Sequence, residues 1–257
     1  MSQQSEIDLT SLVRYLDEML GIPAFPDYPG AFNGLQVEGR GVVRKIAAAV
    51  DASIDATNAV VKLEADLFLC HHGLLWGPQQ PMVGRQLARF GPLIRSEISV
   101  YSAHLPVDAH PEYGNNAQMV RRMGLEPSGA FGLYDRTPIG WYADTDLDAT
   151  ELVTRVVAAL GQPLRSEMLF GPDRCRRVGV ISGGAGSMIE EARDAGVDFF
   201  VTGEGSHHTY FDARELGMNV VHGGHYATET FGVKALAAHL AERFGLDWEF
   251  IDLPTGL

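Results

Sequence analysis

Two adjacent histidines, His71 and His72, follow an apolar run and precede a glycine. Successive residues of a β-strand point to opposite faces, so the two imidazoles could serve one site only in a loop at the strand end. Neutral imidazole binds zinc, iron, nickel and manganese. The pattern predicts a strand over 65–70 and a metal-binding loop after it. In the alternative interpretation, one histidine caps a turn and the other faces water.

Further groups with the character of metal ligands lie later in the chain. Asp108 belongs to AHLPVDAHP, and HYATE places His225 and Glu229 four residues apart. A helix that begins near residue 226 would bring that pair to one side, whereas a capped helix with a solvated acid is the alternative. Three histidines and two carboxylates exceed what one tetrahedral zinc ion with an open position needs. They suit two ions about 3.5–4 Å apart, so the predicted ligands are His71, His72, Asp108, His225 and Glu229.

Three other residues are candidates for moving protons: His104, Glu204 and His207. His104 precedes Asp108 by four residues, and it is either a ligand or a group that orients the aspartate. Glu204, in TGEGSHH, is either an acid favoured by a helix N-terminus or a proton-transfer group beside the metals. Two prolines are expected to keep the segment around Asp108 out of a helix. His239, inside the last predicted helix, is expected to face water.

Composition narrows the class of protein. The 257 residues are 46% hydrophobic, which is enough for a core, and the net charge of −13 with few basic runs argues against nucleic acid as the main partner. Two cysteines without CxxC spacing argue against disulfides and thiolate zinc sites, and suit a reducing cytoplasm. No apolar stretch reaches the length of a membrane span. The polar start, MSQQSEIDLT, lacks the pattern of a secretory signal, so a cytoplasmic location is expected.

Alternating strand and helix patterns predict largely parallel sheets. Residues 45–73 align without a gap onto 177–205, and Asp66 falls on Asp198. We therefore predict an α/β fold with two similar three-layer α/β halves, related by internal duplication, over 1–126 and 127–257. The metal site is expected between the halves, since ligands gather beyond the carboxyl ends of parallel strands. The predicted helices cover 7–20, 54–64, 83–95, 147–160, 187–195 and 207–216. The predicted strands include 44–51 and 140–144, and residues 176–184 are predicted to form a strand and then a glycine turn.

Five segments in order, NGLQVEG, CHHGLLW, AHLPVDAHPEYGNN, TGEGSHH and GHYATE, resemble the dinuclear-metal-centre family of GTP cyclohydrolase I type 2 homologues, also called Ngg-interacting-factor-like proteins. The resemblance runs from about residue 8 to the C-terminus. It implies two divalent ions (zinc, iron, manganese or nickel) held by the five predicted ligands. It also implies a toroidal homohexamer, and the family name implies hydrolytic opening of the GTP purine ring.

Two hypotheses for function follow from the sequence. The first is a metal-dependent hydrolase for a nucleotide or another cyclic amide, in which His104, Glu204 or His207 moves protons. The second is a non-enzymatic metal-handling or scaffold protein, because the same ligands fit metal binding without turnover. Neither hypothesis involves nucleic acid or a membrane, and both leave room for a homo-oligomer.

Overall fold

The structure is a computed structural model that describes residues 5–257, so the first four residues of the polar N-terminal segment lie outside the described part. Its strands are Ile7–Asp8 (β1), Gly34–Val37 (β2), Val42–Val43 (β3), Lys45–Asp51 (β4), Leu67–His72 (β5), Ser99–Ser102 (β6), Gly129–Tyr134 (β7), Thr137–Asp148 (β8), Ser166–Leu169 (β9), Arg174–Ile181 (β10), Phe199–Thr202 (β11), Asn219–His222 (β12) and Asp247–Phe250 (β13). Its helices are Leu9–Leu20 (α1), Ile54–Lys62 (α2), Gly84–Arg95 (α3), Leu105–Ala109 (α4), Asn115–Arg122 (α5), Ala149–Leu160 (α6), Ile189–Asp194 (α7), Thr209–Glu215 (α8), His225–Thr228 (α9) and Thr230–Phe244 (α10). None of the helices described here is both long and apolar enough to cross a membrane.

The chain divides into two compact units that differ in outline from the predicted halves. The first unit contains residues 1–107 and 233–253, and the second contains 108–232 and 254–257. The last strand explains part of the difference, because β13 pairs in parallel with β4 and so returns to the first unit. Likewise, α5 packs on β8 and β10, which places the segment before residue 127 in the second unit. Both units contain helices and a sheet, so the predicted α/β fold in two α/β parts is confirmed.

The first unit is built on a five-stranded sheet with the order β13-β4-β5-β6-β2. Its first four strands are parallel, and β2 closes one edge in the antiparallel direction. The interior residues of β4 and β5 are buried in an unbroken run, as expected for parallel strands covered on both faces. The core joins these strands to α2 and α3 through side chains such as Phe68, Val60 and Leu93. Ser53 caps α2, where its Oγ accepts a hydrogen bond from the Ala56 amide at 3.1 Å.

The second unit is built on a six-stranded sheet with the order β7-β8-β10-β11-β12-β9. Strands β10, β11 and β12 are parallel, and the strands on either side of this trio, β8 and β9, are antiparallel to it. The core places Met119 of α5 and Leu152 and Val156 of α6 among Val178, Phe199 and other strand residues. The parallel strands therefore end together at one edge, as they do in the first unit.

The two units repeat one order of elements. In each, a helix (α1 or α6) leads to an antiparallel edge strand (β2 or β9), and three parallel strands with intervening helices follow. The aligned aspartates also have the same role. The Asp66 carboxylate accepts hydrogen bonds from the amides of Arg44 and Lys45, and the Asp198 carboxylate accepts from those of Arg176 and Arg177. Each aspartate thereby ties the start of its own strand to the preceding one.

Two local expectations from the sequence are wrong. Residues 105–109 form the helix α4 although Pro106 lies within it. A proline in the first turn is tolerated because the amide that it lacks would have no partner inside the helix. His239 does not simply face water, since its Nε2 lies 2.6 Å from the hydroxyl of Tyr15 and the two rings stack.

Replacing Asp66 by alanine should lower the free energy of unfolding by about 2 kcal/mol, because two backbone amides and Arg40 lose a buried acceptor. Urea denaturation measures this change. Glu126→Ala is the control, since its side chain is 87% exposed and its loss should change stability by less than about 0.5 kcal/mol. Equal effects of the two substitutions would contradict the role given to Asp66.

Candidate metal centre

The paired histidines lie in a strand rather than in the predicted loop. Both His71 and His72 belong to β5, as its last two residues. Their ring centroids are nevertheless 4.8 Å apart. Strand alternation separates their Cβ atoms, but both side chains lie at the strand end, where neighbouring strands and loops hold them. The two imidazoles at the end of a strand are therefore close together, contrary to the expectation that a strand would separate them.

Each of these imidazoles has its Nδ1 atom fixed by an oxygen. His71 Nδ1 lies 3.0 Å from the carbonyl oxygen of Ala103, and His72 Nδ1 lies 2.8 Å from Oδ1 of Asp51, the last residue of β4. A carbonyl oxygen only accepts hydrogen bonds, so His71 carries its proton on Nδ1. That proton leaves Nε2 as the nitrogen suited to bind a metal. The same arrangement holds at His72 when Asp51 is ionised.

His104 has the same arrangement with a buried partner. Its Nδ1 lies 2.8 Å from Oδ1 of Asp27, and the exposed fractions of the two side chains are 9% and 5%. Burial raises the pKa of Asp27, but the hydrogen bond and charge of His104, with the hydrogen bonds from Asn33 and the Tyr28 amide, together outweigh it, so the pKa is lower than that of an ordinary aspartate. Asp27 is thus an ionised carboxylate inside the protein. The structure pairs His104 with Asp27, a residue that the sequence patterns do not single out.

These three histidines form a cluster within the first unit. One ring nitrogen from each of His71, His72 and His104 lies within 4.8 Å of the others. The ring of His104 is 4.9 Å from that of His71 and 5.5 Å from that of His72, centroid to centroid. Trp76 stands edge-on to His104 at 4.8 Å. Three imidazoles so close together form a donor set that suits a divalent transition metal.

The segment NGLQ (33–36), part of the NGLQVEG segment of the family resemblance, supports the backbone near His72 and at His104. The Asn33 side-chain oxygen accepts a hydrogen bond from the His104 amide at 2.8 Å. Oε1 of Gln36 accepts from the amides of Leu74 and Leu75 at 2.7 and 3.0 Å. Two partly buried amide side chains, three residues apart on one short segment, therefore hold the backbone on the C-terminal side of His72 and at His104.

In the second unit, His225 lies between two carboxylates. Its Nε2 is 3.1 Å from Oε1 of Glu229, and its Nδ1 is 2.8 Å from Oε1 of Glu204. The hydrogen bond to Glu229, helped by that to Glu204, raises the pKa of His225 to about 9 although burial lowers it. Glu229 is buried, whereas the Glu204 side chain is 53% exposed. The predicted pair His225 and Glu229 is thus brought together, and Glu204 orients the imidazole.

Asp108 is buried in the second unit by polar partners. Its Oδ1 accepts hydrogen bonds from Asn115 Nδ2 at 2.8 Å and from the hydroxyl of Ser182 at 2.9 Å. Asn115 in turn accepts from the amide of Gly232 at 2.6 Å. The carboxylate is therefore held by the first residue of α5 and by the turn after β10. Asn115 is a residue that the predicted site did not include, and its signal was the polar pair NN that ends the segment AHLPVDAHPEYGNN.

His207, the third predicted proton-transfer residue, is placed differently. It is exposed in the turn before α8, and its ring meets the edge of Phe211 with centroids 5.9 Å apart. Among the described contacts, none joins His207 to a predicted ligand. His110 bonds its own loop, since its Nδ1 accepts from the amides of Glu112 and Tyr113.

Gly183 has no side chain and so leaves room for His225 and Glu229. It has φ of +65°, and a Cβ there would overlap Oε1 of Glu229 and lie 3.3 Å from Nε2 of His225. A side chain at this position would therefore be strained and would also displace a predicted ligand. Gly161 has a similar φ of +69° but nothing within 4 Å of its Cβ position.

Gly183→Ala and Gly161→Ala form a matched pair of variants. Gly161→Ala should cost about 1 kcal/mol of stability, which is the penalty for a left-handed backbone alone. Gly183→Ala should cost at least about twice as much, because Glu229 must also move. Thermal or urea unfolding measures both, and equal costs would show that Glu229 is not held against residue 183.

Comparison with known proteins places the chain among full-length relatives. A protein of Archaeoglobus fulgidus described as a GTP cyclohydrolase 1 type 2 homolog is 41% identical over 251 residues, which cover 98% of this chain and all of the relative. A protein of Deinococcus radiodurans with the same description is 40% identical, over 99% of this chain and 96% of the relative.

Solved structures also match this chain over nearly its full length. The protein ybgI, whose function is given as unknown, matches with a TM-score of 0.89 and 37% identity over 98% of this chain and all of its own. A protein from Thermus thermophilus matches with a TM-score of 0.85 and 41% identity over the same shares. The sequence profile of the Duf34/NIF3 (NGG1p interacting factor 3) family matches residues 7–255. The chain therefore belongs to the Duf34/NIF3 family.

Proposed function

We propose that the protein binds two divalent metal ions through His71, His72, Asp108, His225 and Glu229, and uses them for hydrolysis. The observation that supports metal binding most strongly is the fixed Nδ1 of each histidine involved: the partners are the Ala103 carbonyl, Asp51 and Glu204. Histidines that bind metals characteristically donate their other ring nitrogen to a carboxylate or carbonyl oxygen in this way. Ordinary surface histidines do not need such support.

The donor set fits the ions that the proposal requires. Three imidazoles and two buried carboxylates combine neutral and anionic ligands of the kind bound by zinc, iron, manganese and nickel. The two described hydrogen bonds of Asp108 both reach Oδ1, and together they orient the plane of the carboxylate. Gly183 leaves the space in which Glu229 stands.

Bound ions would act as Lewis acids and lower the pKa of water, which is the chemistry of two-metal hydrolytic sites. The chain's own residues would do the rest. Asp51 and Glu204 orient imidazoles, Asn115 and Ser182 orient Asp108, and His104 lies within the histidine cluster of the first unit. Glu204, partly exposed and hydrogen-bonded to His225, is suited to exchange protons with water.

A nucleotide or another cyclic amide is the substrate class that we propose, and it rests on the description of the relatives as GTP cyclohydrolase 1 type 2 homologs. Family resemblance also underlies the proposal that the chain forms a toroidal homohexamer. The proposed cytoplasmic location rests on the two cysteines without CxxC spacing. Light scattering tests the assembly, and the mass of a monomer would contradict it.

Metal content measured by mass spectrometry should give about two transition-metal ions per chain for the untagged protein. His72→Ala and Glu229→Gln should each lower that content by at least one ion, because each removes a ligand. His239→Gln is the control, since its described partner is Tyr15, and it should leave the metal content unchanged. Unaltered metal content in His72→Ala and Glu229→Gln would sink the proposed ligand set.

The same preparations separate a hydrolase from a metal-handling protein. Wild-type protein loaded with zinc, iron, manganese or nickel should convert GTP, or another cyclic amide in a panel, into a ring-opened product, and Glu229→Gln should not. Metal that passes readily to a chelator or an apo-protein, without hydrolysis of any compound in the panel, would instead favour metal handling.

A further inference from the structure

The irregular segment before β2 carries a buried carboxylate, that of Asp27, with an unusual number of partners. Its Oδ1 lies 2.7 Å from the amide nitrogen of Tyr28 and 2.8 Å from Nδ1 of His104. Its Oδ2 lies 2.8 Å from Nδ2 of Asn33 and 3.1 Å from the amide nitrogen of Leu105. All four partners belong to the first unit.

The identity of these partners determines where the proton on His104 lies. The two backbone amides can only donate, and an ionised carboxylate can only accept. Asn33 must present its NH₂ group to Asp27, because its oxygen already accepts from the amide of His104. His104 therefore donates from Nδ1 as well, and in the neutral ring Nε2 carries a lone pair.

The lone pair on Nε2 of His104 is near two other imidazoles. A ring nitrogen of His104 lies within 4.8 Å of ring nitrogens of His71 and His72. The Nδ1 atoms of all three rings are bonded to oxygens, so Nε2 is the ring nitrogen of His104 that is left to serve the cluster. A lone pair there accepts hydrogen bonds, whereas an N–H would repel a water proton.

We propose that Asp27 is a positioning residue that holds His104 in the Nδ1–H tautomer, so that Nε2 accepts a hydrogen bond from a water molecule beside His71 and His72 and orients it. Use of that water in hydrolysis rests on the proposed function, but the tautomer does not. Buried carboxylate–imidazole pairs fix tautomer and ring orientation in just this way elsewhere.

Nitrogen-15 NMR of metal-free protein labelled at histidine reads the tautomer directly. The spectra distinguish protonated from unprotonated ring nitrogens, and His104→Gln assigns the signals by their loss. In wild-type protein, at a pH at which the ring is neutral, His104 should show Nδ1 protonated and Nε2 unprotonated. An Nε2–H tautomer, or an equal mixture, would overturn the proposal whatever the variants do.

Asp27→Asn tests the cause. The side chain of asparagine has only one acceptor oxygen, whereas each of the two carboxylate oxygens of Asp27 accepts from two donors. If the NH₂ group takes the Oδ2 position, it faces two other donors, the Asn33 NH₂ group and the Leu105 amide. With NH₂ at the Oδ1 position, the amide donates to His104 Nδ1 and drives its proton to Nε2. We expect the ratio of Nδ1–H to Nε2–H to fall by about tenfold or more, since a charge-assisted hydrogen bond is lost.

Asp17→Asn is the matched control, because Asp17 accepts a hydrogen bond from the Tyr101 hydroxyl at 2.8 Å and has no described contact with an imidazole. It should leave the His104 signals unchanged. Unchanged His104 signals in folded Asp27→Asn would refute the inference and leave metal binding untouched. Conversely, if Asp27→Asn switches the His104 tautomer but the wild-type protein binds no metal, the role of Asp27 is supported and the proposed function is wrong.

Discussion

An imidazole has two nitrogens, and fixing one determines what the other can do. That constraint shapes the candidate site. His71, His72, His104 and His225 each have Nδ1 within 3.0 Å of an oxygen, supplied by a backbone carbonyl in one case and a carboxylate in three. Without those four oxygens the rings could rotate and exchange tautomers. With them, each ring is restricted to one nitrogen for chemistry.

The fold supplies these oxygens because parallel strands end together. Asp51 ends β4, His71 and His72 end β5, and Ala103 follows β6, so the partners come from three adjacent strands of one sheet. The second unit repeats the arrangement in part, since Glu204 follows β11 and His225 follows β12. Duplication of a sheet thus gives two edges at which buried polar groups can be fixed.

The sequence was informative where a pattern is local. Helix and strand periodicity predicted most elements, and the alignment of Asp66 with Asp198 predicted two residues that prove to have the same role. It was uninformative for Asp27 and Asn33, which lie more than seventy residues from His104 in an irregular segment rich in proline and glycine. Such long-range contacts depend on the tertiary structure, and a single sequence does not show which distant residues pair. The error at His71 and His72 has a related cause, because strand alternation fixes Cβ directions but does not fix where long side chains end.

The proposed function requires that the protein binds two metal ions. Anomalous diffraction from crystals of the metal-containing protein tests it most directly, since the signal locates each ion and identifies the element. We predict two peaks about 3.5–4 Å apart, with ligand bonds of about 2.0–2.2 Å from His71, His72, Asp108, His225 and Glu229. A single ion bound by the histidines of the first unit alone, or no ion at these residues, would contradict the account.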